Sequence, residues 1–171
     1  MSVFSTAAKL AFILTAIAVL LCMVWWSGKL PDVVPSHFDL QGNPDDTMQK
    51  NAYMGLMYSV HILQFALFGF MAFAMPKSPD SIFNMPNKAY WLAPERRDNT
   101  KQEMQSLLLG HGTLTMIFVG ILFHLSSQVA IKQRATISPE FAWMLGIYLV
   151  ANVGMIIWML RKFRLPADAT E

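Results

Sequence analysis

Chemistry in this chain begins with its histidines and the acids beside them. His37 and Asp39 stand two residues apart in the stretch Ser27–Asn51. On an extended chain, side chains two apart point the same way, so an imidazole and a carboxylate would share one face there. Pro31 and Pro35 hold the path extended and bar a helix. Gln41-Gly42-Asn43-Pro44-Asp45 is dense in turn-forming residues. Asp32, Asp39, Asp45 and Asp46 outnumber Lys29 and Lys50, which makes the stretch locally negative and able to attract a cation or a basic peptide. Pro35, His37, Asp39 and Asp45 are the candidate partner-binding residues; the plainer alternative is a cap that seals helix ends.

The other histidines lie in apolar surroundings, where a polar group is expensive and needs a reason. At a rise of about 1.5 Å per residue, His61 sits ~14 Å and His124 ~10 Å from the same end of their two helices. His111 sits ~10 Å from the opposite end and ~140° around the helix from His124. Four uses of His61 and His124 compete. They can hydrogen-bond between helices, with Gln64, Ser127 or Asn152 as partners. They can hold a divalent metal, with His37 or Asp39 as third ligand. They can ligate a haem through two imidazoles. They can relay a proton. Met54, Met57 and His61 also share a helical face, a soft set suited to copper(I), although methionine is ordinary filler in apolar helices.

The elements that position these groups follow from where charge is absent. The chain has 171 residues, 54% hydrophobic and 14% charged. Soluble domains carry about 25% charge. Leu10–Trp26, Ala52–Met75, Met104–Ile131 and Phe141–Leu160 contain no Asp, Glu, Lys or Arg. About 20 apolar residues span a bilayer as a helix, so each is a membrane-span candidate. The fold class expected is all-α integral membrane, one domain over 1–171, with helices about 8–27, 52–75, 104–131 and 141–160. Lys9 before an apolar run resembles a signal peptide, but Cys22–Trp26 offers no small-x-small cleavage site, so the first helix is retained.

Basic residues orient the helices. Lys9, the linker residues Lys77, Lys88, Arg96, Arg97 and Lys101, and the tail residues Arg161, Lys162 and Arg164 fall on one side. Lys29, Lys50, Lys132 and Arg134 fall on the other. The positive-inside rule then puts both termini and the second linker in the cytoplasm and the 27–51 loop outside. Tyr90-Trp91-Leu92 reads as an interfacial anchor, Pro94-Glu95 as the first turn of a helix running into the third span, and Arg96, Arg97 and Lys101 as headgroup contacts. Stripes of small residues predict close helix packing: Ala8, Ala11, Thr15, Ala18 and Cys22 on the first helix, Thr113, Gly120 and Ser127 on the third, Gly146 and Gly154 on the fourth. Together they predict an up-down bundle of four helices, N-in and C-in, with a structured extracytoplasmic loop between the first two.

The loop residues Leu30-Pro31-Asp32-Val33-Val34-Pro35-Ser36-His37-Phe38-Asp39, then Gly42-Asn43-Pro44-Asp45, resemble the signature of a bacterial membrane-domain family of unknown function. That signature reads roughly LP-x-x-[IV]-P-x-H-[FW]-[DN]-x-x-G-x-P-[DN] and follows a first transmembrane helix, as here. The same domain opens the longer SdpI-like proteins, membrane immunity factors against a secreted killing peptide. Pro86–Arg97 is similar to the cytoplasmic linker of the family's shorter members. The resemblance implies a multi-pass protein of the bacterial inner membrane.

Other classes are excluded by what is missing. A net charge of +2 is too small to make nucleic acid the main partner. One cysteine forbids an internal disulfide and a cysteine-based zinc or iron–sulfur site. No metalloprotease, phosphate-loop, nucleophile-elbow or dinucleotide motif occurs, and no acidic residue lies within a span, so no enzyme is expected. The expectation is a binding, accessory or immunity-like membrane protein acting on a protein or peptide through its outer loop, without a cofactor. The alternative is a metal- or haem-binding protein using His61 and His124 with His37.

Overall fold

Apolar segments without charge must satisfy their backbone internally, and here they do so as helices. The computed structural model describes residues 3–39, 41–133, 136 and 139–166. In chain order the elements are α1 (Val3–Ser27), the strands β1 (Val33–Phe38) and β2 (Pro44–Gln49), α2 (Lys50–Ala74), two single 3-10 turns (Met75–Lys77 and Asp80–Ile82), the one-turn α3 (Lys88–Trp91), α4 (Arg97–Lys132) and α5 (Glu140–Lys162). α1, α2, α4 and α5 are each long and apolar enough to cross a membrane. Their surface agrees: Leu63, Phe70, Trp143 and Val150 are exposed, a coat that water tolerates poorly and lipid tails accept. Arg134, counted in the charge balance above, lies outside the described residues.

α4 is the central post. It runs alongside α1, with Leu109 and Met116 packed on Phe12 and Ala16 and with Phe123 on Val19 and Met23. Against α2 it runs the other way: Tyr53 Oη donates to Ser126 Oγ at 3.2 Å, while Gln105 Nε2 donates to the Ala72 carbonyl at 2.7 Å. Two glycines of α4 permit the close approach. A Cβ on Gly112 would come 2.8 Å from Phe68 Cγ and 2.9 Å from Phe12 Cε2, and one on Gly120 would come 3.0 Å from a Val19 methyl. Buried small residues replace the missing hydrophobic driving force in lipid by dispersion contact.

The packing corrects the stripe expectation on two helices. The face α1 buries is Phe12, Ala16, Val19 and Met23, and Ala11 and Ala18 of the small stripe are exposed. Gly146 and Gly154 on α5 have nothing within 4 Å of an added Cβ. α5 buries no residue and rests on α4 through Tyr148, stacked on Phe118 at 4.2 Å with its hydroxyl 3.3 Å from Thr115 Oγ1. Asn152 does not reach another helix; its amide donates to the Tyr148 carbonyl one turn back.

At one end of the helices the 27–51 segment is an antiparallel hairpin, paired Val33↔Gln49, Val34↔Met48, Pro35↔Thr47, His37↔Asp46 and Phe38↔Pro44. Leu30 and Val34 are buried among Met23, Tyr53, Met54 and Phe123, which ties the hairpin to three helices. At the other end, residues 75–96 fold onto α4 and α5 over Phe83, Met85, Leu92 and Phe163. Asn87 Nδ2 and Trp91 Nε1 both donate to the Phe163 carbonyl at 2.9 Å, satisfying a carbonyl freed by the end of α5. Here too an expectation changes. Lys101 is not a headgroup contact: its buried ammonium bonds the Ser78 carbonyl at 2.6 Å and Asp80 at 2.9 Å, and Arg97 holds the same carboxylate at 3.0 Å. The Lys101 hydrogen bond first, and then the charges of Arg97 and Lys101, hold the Asp80 carboxyl below its ordinary range.

Candidate functional site

The hairpin builds its site from the turn outward. Asp39 is the organiser. Its carboxylate accepts from Gln41 N–H at 2.9 Å, Asn43 N–H at 2.8 Å and Asn43 Nδ2 at 2.9 Å, while the Asp39 N–H donates to the Asn43 carbonyl at 2.9 Å. An aspartate bonding backbone two and four residues on is the local reason the chain reverses here. Gly42 takes φ 84°, which a side chain would resist. The bonds from Asn43, with those from Gln41 and Gly42, keep the Asp39 carboxyl below its ordinary range.

His37 and Asp45 face each other across the hairpin, His37 Nδ1 to Asp45 Oδ1, and both are exposed. Pro35 has a backbone role. Lys50 N–H donates to the Asp32 carbonyl at 2.8 Å, so residues 32 and 34 turn their polar groups toward β2 and Pro35 turns away. A proline at that position removes an outward N–H from the edge of the sheet. Of the candidate loop residues, therefore, Asp39 and Pro35 shape the hairpin, and His37 with Asp45 is the polar pair that it displays.

Of that pair His37 lines a cleft of about 680 Å³, and Asp45 reaches it only through the His37 ring. One wall is Ser36, His37, Phe38, Asp39, Gln41 and Gly42; the other is Leu122 of α4 with Pro139, Phe141, Ala142 and Leu145 at the start of α5. The first wall is polar and acidic and the second is apolar. Leu122, Phe141 and Leu145 were not among the candidates, since an apolar residue on a spanning helix carries no mark that separates a cleft wall from a lipid contact. Pro139 was the available signal, because a proline opening a helix fixes where the helix begins.

The remaining histidines do not join this cleft. His61 is buried, and its Nε2 lies 2.9 Å from the Ala16 carbonyl; a carbonyl can only accept, so Nε2 carries the proton. His124 Nε2 lies 2.7 Å from Gln128 Nε2, Gln128 Oε1 accepts from Lys132 Nζ at 2.8 Å, and the ring meets Trp26 edge-on. Interhelical bonding was right in kind for His61 but not in partner, and His124 bonds within its own helix. His61 lines a groove with Ile13, Ile17 and Leu20 of α1, whereas His124 lines another with Thr15, Ala18 and Cys22. Those two sets lie on opposite sides of α1, so similar depth does not bring the two imidazoles to one haem or metal. Among the described residues no three of His, Cys, Asp and Glu gather as a metal site. Met54 is buried in the core below the hairpin and Met57 packs against it, the filler role that methionine takes in apolar helices.

Residues 13–58 match the family model of a domain of unknown function, DUF1648. The matched segment runs from within α1 through the whole hairpin into α2. No curated protein and no solved structure matches the chain.

Proposed function

We propose that this chain is a small multi-pass membrane protein that works by binding, and that the cleft between the hairpin and α5 receives a segment of a secreted peptide or protein. In this reading both termini and the 75–96 linker lie in the cytoplasm, the hairpin lies outside, and the membrane is the bacterial inner membrane. The basic residues on the linker and tail support that orientation. The observation that carries the proposal is the unlike pair of walls. An apolar side chain seated on Leu122, Phe141 and Leu145 would place a neighbouring basic group near Asp39, with Asp45 behind the His37 ring. Apolar contact supplies affinity and the acidic wall supplies choice of partner. An immunity-like or accessory role follows from such capture, and it requires no reaction at the site.

The test is photocrosslinking in living cells with a photoreactive residue at Gln41 or Ala142, on the two walls, and at Val150, which faces outward on α5. The cleft positions should give a discrete adduct that Val150 does not, and His37→Ala with Asp45→Ala should weaken it at unchanged membrane abundance. Identical adduct patterns at all three positions would refute the reading.

A further inference from the structure

Thirteen methionines are many for this length, and burial divides them. Met23, Met54, Met85 and Met116 are buried and fill cores. Four others are only partly buried and converge on one groove of about 230 Å³ between α4, α5 and the end of α2: Met75, Met104, Met155 and Met159. His111 lines the same groove. Its ring meets Phe68 edge-on at 5.5 Å, and among the described residues its nitrogens have no hydrogen-bond partner. An imidazole on the wall of an otherwise apolar groove can offer a ring lone pair to a ligand held there.

We propose that this groove binds a soft monovalent metal ion, copper(I) or its mimic silver(I), through Met155, Met159 and His111, with Met75 or Met104 as the fourth ligand. Thioether sulfur is neutral, polarisable and a poor ligand for hard cations, whereas copper(I) accepts it together with imidazole. Met155 and Met159 are four apart on α5 and so share one helical face, and Met104 lies two turns before His111 on α4. Three rotatable bonds let each thioether swing its sulfur inward without moving the backbone. Met75, Met104 and Met159 also pack against the cluster around Phe83 and Phe163, which fixes the roots of those side chains. The set draws on three separate elements, so it forms only when the chain is folded. Zinc(II), magnesium and calcium are disfavoured, since the groove supplies neither thiolate nor carboxylate.

The full chain, purified in detergent under reducing conditions, is titrated with copper(I) against a chromophoric copper(I) chelator. One equivalent should bind, and Met155→Leu with Met159→Leu should weaken binding about tenfold or more, as should His111→Leu. Leucine keeps the volume of methionine, so the methionine variants should retain the parent melting temperature. Met54→Leu with Met57→Leu should leave affinity unchanged. X-ray absorption of the loaded parent protein gives a second readout that needs no variant: sulfur neighbours with a nitrogen support the site, and nitrogen or oxygen neighbours alone overturn it. Failure to compete with the chelator, equal affinity in the α5 double variant, or zinc(II) binding as tight as copper(I) would each overturn it too. The crosslinking at the hairpin cleft can succeed or fail without touching this result.

Discussion

Gly112→Ala tests the helix arrangement on which both sites depend. Three helices meet at this glycine: α4 contributes it, α1 brings Phe12 and α2 brings Phe68. The added methyl would lie 2.8 Å from Phe68 Cγ and 2.9 Å from Phe68 Cβ. Rotation of the side chain can move Cγ but leaves Cβ where the backbone puts it, so α2 must move. Phe12 Cε2, also at 2.9 Å, is a ring edge and can yield. Overpacking of this kind costs about 1–3 kcal/mol. A loss of about 2 kcal/mol lowers the melting temperature of a chain this size by roughly 4–8 °C. The assay is thermal unfolding of purified protein in one detergent, with Gly146→Ala beside it. Gly146 has open space around an added Cβ, so that variant should melt with the parent or slightly above it. Adding Phe68→Leu to Gly112→Ala should recover part of the loss. Equal melting temperatures for Gly112→Ala and Gly146→Ala would mean that α1, α2 and α4 do not meet as described.

Three further outcomes follow from particular contacts. Lys101→Met removes a buried ammonium from Asp80 and Ser78 and leaves Arg97 alone on that carboxylate, so protease cleavage between residues 78 and 88 should speed up severalfold while the helices stay intact. Tyr148→Ala should raise hydrogen exchange along α5 with little change in α1, and Tyr148→Phe should keep most of the protection, because the stack on Phe118 outweighs one hydroxyl contact. Asp39 has a carboxyl pKa lowered by bonds present only in the folded turn, so it stabilises the turn above the ordinary aspartate value near 3.9, and that contribution is lost as pH falls through the lower folded value. Amide exchange at Gln41 and Asn43 should therefore quicken in that acid window, once the intrinsic pH dependence is removed, and Asp39→Asn should abolish the transition.

The spans were legible because bilayer-crossing helices exclude charge, and four gaps between charges marked them before any geometry was known. α4 starts earlier than its apolar run, as expected, but at Arg97: Pro94-Glu95 lie in the turn before the helix and not in its first turn. How the helices rotate was not legible. On α1 nearly every residue is apolar, so periodicity could not separate the Phe12, Ala16, Val19 and Met23 face from the small stripe beside it. The turn at Asp39–Asn43 was written in residue types. The strand pairing was not, because β2 reads Pro-Asp-Asp-Thr-Met-Gln and shows no apolar alternation. The partner of His61 was beyond reach for a simpler reason: it is a backbone carbonyl, which every residue possesses. Lys101 misled because a lysine near a helix start reads as surface, and only the fold of 75–96 brings Asp80 over it.

α5 is a wall of both candidate sites, and it is the helix least held by the rest. Its first turns bound the hairpin cleft through Pro139, Phe141, Ala142 and Leu145, and its last turns carry Met155 and Met159. Between them Tyr148 rests on Phe118 and Thr115; at the far end Phe163 is buried and its carbonyl is held by Asn87 and Trp91. A helix that buries no side chain along its length can shift against α4 at small packing cost, whereas α1 and α2 cannot move against α4 without displacing Phe12 or Phe68 at Gly112. The hairpin is tied to α1, α2 and α4 through Val34 and Leu30. Any change in the width of the cleft therefore falls on α5. Tyr148→Ala, which removes the contact with Phe118 and Thr115, should accordingly weaken adduct formation at Ala142 more than at Gln41. An equal loss at both positions would place the adaptable wall in the hairpin instead.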